Sequence, residues 1–82
     1  MVRFVEETER FTNIYSKFDN FTRDKVKKKI QKIITNPEVG KPMRYGRKGT
    51  RELYIKPFRL SYVYLASEDR IVLLDLYHKK KQ

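Results

Sequence analysis

Apolar and polar positions follow two rhythms along this 82-residue chain, and the switch between them divides it. Arg3-Phe4-Val5-Glu6 alternates as a short strand does. From Phe11 the period lengthens: Phe11, Ile14, Tyr15 and Phe18 fall at i, i+3, i+4 and i+7, on one face of a helix. Asp19-Asn20 then supplies turn and N-cap chemistry for a second helix with the apolar stripe Val26, Ile30, Ile33 and Ile34. Asn36-Pro37 ends it, because the residue before a proline avoids helical geometry and the proline cannot continue the ladder.

Past Gly40 the rhythm changes. Lys41 to Thr50, with Pro42, Gly46 and Gly49, reads as a loop. Arg51 to Lys56 alternates, Pro57 breaks the run, and Arg59 to Leu65 is a strand rich in β-branched and aromatic residues. Ser67-Glu68-Asp69 is a turn. Ile71 to Tyr77 is almost wholly apolar, which suits the buried centre of a sheet. The expectation is one α+β domain, residues 1–82, in the order β-α-α-β-β-β. The N-terminal strand joins one edge of a small antiparallel sheet, the helical hairpin packs on one face, and the other face is left for function.

Charge sharpens this picture. There are 20 Lys and Arg against 10 Asp and Glu, a formal net charge of +10, which favours phosphate-rich or acidic partners. Lys41, Arg44, Arg47, Lys48, Arg51, Lys56 and Arg59 share their stretch with one acid, Glu52, and Lys79, Lys80 and Lys81 follow the last strand. Loop and tail could converge on one rim of the sheet. Tyr45, Tyr54, Tyr62, Tyr64 and Tyr77 interleave with these charges, and aromatic faces among cations suit single-stranded RNA. Tyr62 and Tyr64 are read as core residues, Tyr77 as a site residue. The lysines from Lys25 to Lys32 are read as a solvated, steering face.

Several chemistries drop out. Cysteine is absent, so neither disulfides nor thiolate metal sites are expected. One histidine, His78, and no carboxylate cluster at ligand spacing leave no expected metal site. No glycine-rich phosphate loop or serine triad is present, and no cofactor is expected. No leader and no apolar run near the ~20 residues that cross a bilayer are visible, so a cytoplasmic protein without a membrane partner is expected. RNA offers a route without metal, since its own 2′-OH can attack the adjacent phosphate. The protein must move protons and stabilise the phosphorane. Arginine suits the second task and His78 the first, with Tyr77 beside it to stack or relay.

Four blocks, in this order, resemble the RelE/ParE toxin superfamily and most nearly its HigB-like branch. They are Gly40-Lys41-Pro42-Met43-Arg44, Gly49-Thr50-Arg51-Glu52-Leu53-Tyr54, Phe58-Arg59-Leu60-Ser61-Tyr62-Val63-Tyr64 and Ile71 to Gln82. The resemblance implies a toxin of a type II toxin–antitoxin pair: a metal-independent endoribonuclease that cuts mRNA, usually in the ribosomal A site. It implies a RelB-like antitoxin with an acidic segment, besides the ribosome and mRNA, as partners. Arg59 stands where the family keeps an arginine on the scissile phosphate. Tyr77-His78 stands where nuclease members often carry a Tyr-His or His-Tyr pair. Arg59, His78 and Tyr77 are thus the catalytic candidates; Lys41, Arg44, Arg47, Lys48, Arg51, Lys79, Lys80 and Lys81 are the RNA-binding ones. Some members place a glutamate base near Met43, absent here; others have an acid where this chain has Leu76, with Asp75 one residue earlier. The general base stays open among His78, Lys79 and Arg44. The superfamily also includes gyrase poisons that do not cut RNA, and a non-catalytic RNA- or ribosome-binding module is a third reading.

Overall fold

In the computed structural model, which describes residues 2–43 and 49–78, the expected elements appear in the expected order. They are β1 (Phe4–Glu7), α1 (Glu9–Ser16), α2 (Asn20–Thr35), β2 (Lys41–Pro42), β3 (Thr50–Ile55), β4 (Phe58–Leu65) and β5 (Arg70–His78), with a short 3-10 turn at Ala66–Glu68. The sheet order is β1-β5-β4-β3-β2. The last three strands form the expected antiparallel meander, and β1 takes the expected edge position. Two features differ from the expectation. β1 pairs with β5 in parallel, which makes the sheet mixed. Lys41–Pro42, read as loop, adds a two-residue antiparallel strand beside β3. Proline is tolerated there because an edge strand can leave one side of its backbone unpaired.

Both helices are N-capped by their own sequence. The Asp19 carboxylate accepts a hydrogen bond from the Thr22 amide at 2.8 Å, and its pKa is lowered by hydrogen bonding to Thr22. Thr8 caps α1, its hydroxyl accepting from the Phe11 amide at 3.1 Å. The same hydroxyl donates to the Leu74 carbonyl at 2.7 Å, and the Thr8 amide donates to the Leu73 carbonyl at 3.0 Å. Thr8 therefore joins the start of α1 to β5 where β1 leaves it.

The helices cover one face of the sheet. Phe11, Val26 and Ile33 meet Ile55, Leu60, Tyr62, Ile71, Leu73 and Leu76 in a fully buried core. The α2 stripe is as read: Ile30 and Ile34 pack partly buried beside Val26 and Ile33. In β5 the alternation is broken once. Ser61 pairs with Asp75 but Tyr62 pairs with Leu73, so Leu74 is an extra residue bulged out of register. Ile71, Leu73 and Leu76 can all face the core only because of this bulge.

Tyr62 is buried, as read, and its hydroxyl closes the link between α2 and the sheet. It donates to the Pro37 carbonyl at 2.7 Å and accepts from the Gly40 amide at 2.9 Å. Burial pushes this phenol's pKa up, partly offset by the Gly40 amide. A Cβ at residue 40 would lie 2.6 Å from that oxygen, so only glycine lets the chain pass. Arg51 pins the same segment from its other side, donating to the carbonyls of Glu38 at 3.1 Å and Gly40 at 2.8 Å.

Two outcomes follow for stability. Tyr62→Phe keeps the ring but strands a buried amide and a part-buried carbonyl, so chemical denaturation should show a loss of about 1–3 kcal/mol; an unchanged midpoint would mean water replaces the hydroxyl. For Asp19, a lowered folded-state pKa means its stabilisation is complete above the ordinary carboxylate range and fades as pH falls through the lowered value. Asp19→Asn retains a cap without the charge, and its thermal midpoint should fall less steeply in acid than the wild type's. Parallel acid limbs would exclude Asp19 as a source.

Candidate nucleic-acid interface

Strand pairing determines which side chains share the uncovered face. In β3, Leu53 and Ile55 turn to the core, so Glu52 and Tyr54 turn away. Cross-strand partners point the same way, and this gives two adjacent rows. One runs Lys41, Glu52, Ser61, Asp75 across β2, β3, β4 and β5; the other runs Tyr54, Arg59, Tyr77 across β3, β4 and β5. Arg59 thus lies between two tyrosines, with two carboxylates in the neighbouring row.

An open cleft of about 720 Å³ lies over this part of the sheet, lined by Val39, Lys41, Pro42, Met43, Glu52, Leu53, Tyr54 and Arg59. Within it, an Arg59 terminal nitrogen donates to Glu52 Oε1 at 3.2 Å. The partners are unequal: the Glu52 side chain is 4% exposed and that of Arg59 31%. Arg59 Nε is buried without a hydrogen-bond partner, as is Asp75 Oδ1, whose sister oxygen pairs with Arg10 at 3.1 Å. A buried N–H without an acceptor is costly, and here it belongs to a cation in a cleft that an anion can enter.

The other candidates are placed as follows. Lys41 is exposed at the cleft rim. Arg51 pairs across β3–β4 with Tyr62 and grips the Glu38–Gly40 backbone, away from the cleft. His78 pairs with Phe58, not Arg59, and its ring meets Phe58 edge-on with centroids 5.6 Å apart. Phe58 in turn packs on Phe18 below α1, at 4.7 Å. The structure therefore brings Arg59 and Tyr77 together and sets His78 on the helix-covered side. Arg44, Arg47, Lys48, Lys79, Lys80 and Lys81 lie outside the described residues. Among the described residues no group of three or more His, Asp or Glu side chains could hold a metal ion, and no helix is long and apolar enough to cross a membrane.

Sequence reasoning passed over Glu52 and left Tyr54 among the interleaved tyrosines without assigning it to the site. Their signal was present: both alternate with Leu53 and Ile55, and Glu52 is the one acid among seven cations.

The same architecture is found in solved toxins. The toxin–antitoxin complex RelBE2 from Mycobacterium tuberculosis contains a chain with a TM-score of 0.85 and 22% identity, covering 96% of this chain and 100% of that one. A YoeB/ParE toxin from Agrobacterium tumefaciens gives 0.83 at 17% identity, with coverages of 93% and 98%. The isolated E. coli RelE toxin gives 0.81 at 16%, with coverages of 96% and 86%. At these identities the likeness is one of fold. No curated protein sequence is significantly similar to the chain. Residues 4–82 match the family described as the ParE toxin of type II toxin–antitoxin system, parDE. With nearly its whole length matched and the RelE fold in place, the chain belongs to the RelE/ParE superfamily of type II toxin–antitoxin toxins.

Proposed function

We propose that this toxin is a metal-independent endoribonuclease that cleaves mRNA in the ribosomal A site. The observation that carries the proposal is Arg59, a guanidinium with an unsatisfied buried N–H, set between Tyr54 and Tyr77 on the open sheet face. An RNA strand laid across that row places a phosphate on Arg59 and bases against the tyrosine rings. The substrate's 2′-OH attacks the phosphorus as it loses its proton, the P–O5′ bond breaks as the leaving 5′-oxygen gains one, and Arg59 stabilises the charge that grows on the phosphorane oxygens. Tyr77, on the same face, contacts the strand beside the scissile phosphate. His78 is turned to the helix-covered side but is the last residue of β5, and we assign it the proton transfer around the end of that strand. Lys41, with Arg44, Arg47, Lys48, Lys79, Lys80 and Lys81, contributes to backbone binding. Arg51 contributes chiefly by holding the Gly40 turn that shapes the cleft.

In the cytoplasm the toxin is held by an antitoxin with an acidic segment, as its charge of +10 invites. The solved relatives include RelBE complexes from E. coli and M. tuberculosis. Expression with the adjacent reading frame should yield a tight, non-toxic complex. Recovery of free, harmless toxin from such cells would remove this partner from the proposal.

A second reading, a gyrase poison without nuclease activity, is favoured by the parDE match and by the packing of His78 against Phe58. Catalysis separates the two. Arg59→Ala removes an ion-pair partner of a 4%-exposed carboxylate and destabilises the fold, so Arg59→Lys, which keeps the charge but not the planar fork, is the companion variant. Both should fall at least ~10²-fold in cleavage while still sedimenting with ribosomes. His78→Ala should lose ~10²–10⁴-fold. Products should carry a 2′,3′-cyclic or 3′-phosphate and a 5′-OH, in EDTA as well, provided the ribosomes stay intact. If His78→Ala cleaves normally and Tyr77→Phe does not, the proton-transfer role passes to Tyr77. A 5′-phosphate product would overturn the mechanism, and full toxicity without mRNA cuts but with stalled replication would establish the gyrase reading.

A further inference from the structure

Tyr54 lines two clefts. One is the cleft that holds Arg59; the other, of about 370 Å³, lies between α2 and β3 and is lined by Lys25, Lys28, Lys29, Tyr54, Ile55 and Lys56. Tyr54 is 47% exposed and stands at the divide. On α2, residues 25, 28 and 29 are spaced i, i+3 and i+4, so these lysines share one helix face and turn towards β3, whereas Lys27 and Lys32 do not line the cleft. Lys25 is fixed in place, donating to the Lys56 carbonyl at 2.8 Å, with Phe21, 73% exposed, 5.7 Å from its ammonium. Among the described residues none of these four lysines is ion-paired to a carboxylate. The lysines of α2 are therefore two groups with different surroundings, one lining a groove and one solvated.

From this placement we infer that the α2–β3 groove is a second RNA-backbone subsite, continuous across Tyr54 with the Arg59 cleft. A single strand leaves Arg59, stacks a base on the Tyr54 ring, and lays its next phosphates along Lys28, Lys29 and Lys56. The chemistry is that of single-strand binders generally: an aromatic platform with cations on both sides, indifferent to base identity. The inference rests on the ribonuclease reading for the nature of the strand, but its test does not use cleavage.

Binding is measured with 2′-O-methyl RNA, which lacks the attacking hydroxyl, as a decamer and as a trimer too short to span both clefts. Lys28→Glu/Lys29→Glu is compared with Lys27→Glu/Lys32→Glu, an equal change in net charge on the same helix, with helicity checked for both. The groove pair should weaken decamer binding at least tenfold. It should also flatten the salt dependence by roughly 1.4 in log–log slope, two phosphates at about 0.7 each. The control pair should cost less than threefold, and trimer binding should be the same in both variants. Tyr54→Ala should weaken the decamer as well. Equal losses in the two pairs would show that affinity follows net charge and would overturn the subsite while leaving the nuclease reading intact. Failure of the wild-type protein to bind either oligonucleotide would overturn the subsite, whereas the nuclease reading stands or falls on cleavage in the ribosome.

Discussion

One extra residue in β5 decides which side chains the molecule buries and which it presents. A strand alternates strictly, so without Leu74 in the bulge the phase that buries Ile71 and Leu73 would also bury Asp75 and Tyr77. The bulge resets the phase, so that Leu76 completes the core while Asp75 and Tyr77 join Ser61 and Arg59 on the open face. It occurs where β1 ends, and Thr8 stabilises it there by taking up the Leu73 and Leu74 carbonyls while capping α1. Helix start, strand irregularity and site geometry thus meet in a handful of hydrogen bonds.

Much of the fold was legible because its elements have strong local causes. Asp19 before the Val26–Ile34 stripe, Asn36-Pro37 after it, and the apolar run from Ile71 each specify an element whatever the rest of the chain does. The parallel pairing of β1 has no such cause. Its four residues are exposed, and its neighbour is chosen by the path of the helices across the sheet. Lys41–Pro42 escaped notice for a similar reason: two residues at an edge owe their extended form to β3 and not to their own propensities.

The candidate site was legible in part. Arg59 stood out by its strand position and by the family resemblance, and Tyr77 becomes its cross-strand neighbour. The separation of Tyr77 from His78 follows from strand alternation. Treating them as one unit overlooked that adjacent strand residues face opposite sides. Arg51 looked like another cation in a basic stretch, yet it faces Tyr62 and its guanidinium belongs to the Gly40 turn. Glu52 was visible as a lone acid, but only burial and a 3.2 Å contact reveal that it holds Arg59.

That contact gives the cleft a threshold. Glu52 already occupies part of the Arg59 fork, so any incoming anion must compete with a carboxylate that is fixed in place and shielded from water. Charge alone is a poor advantage in such a contest, since a simple monovalent ion meets Arg59 at one point and must give up its hydration to do so. What the resident carboxylate leaves unmatched is Arg59 Nε. On the proposed reading, a ligand with several acceptor oxygens in fixed geometry engages the exposed part of the fork without expelling Glu52, and the ion pair becomes a filter for shape and oxygen count in place of an obstacle to binding.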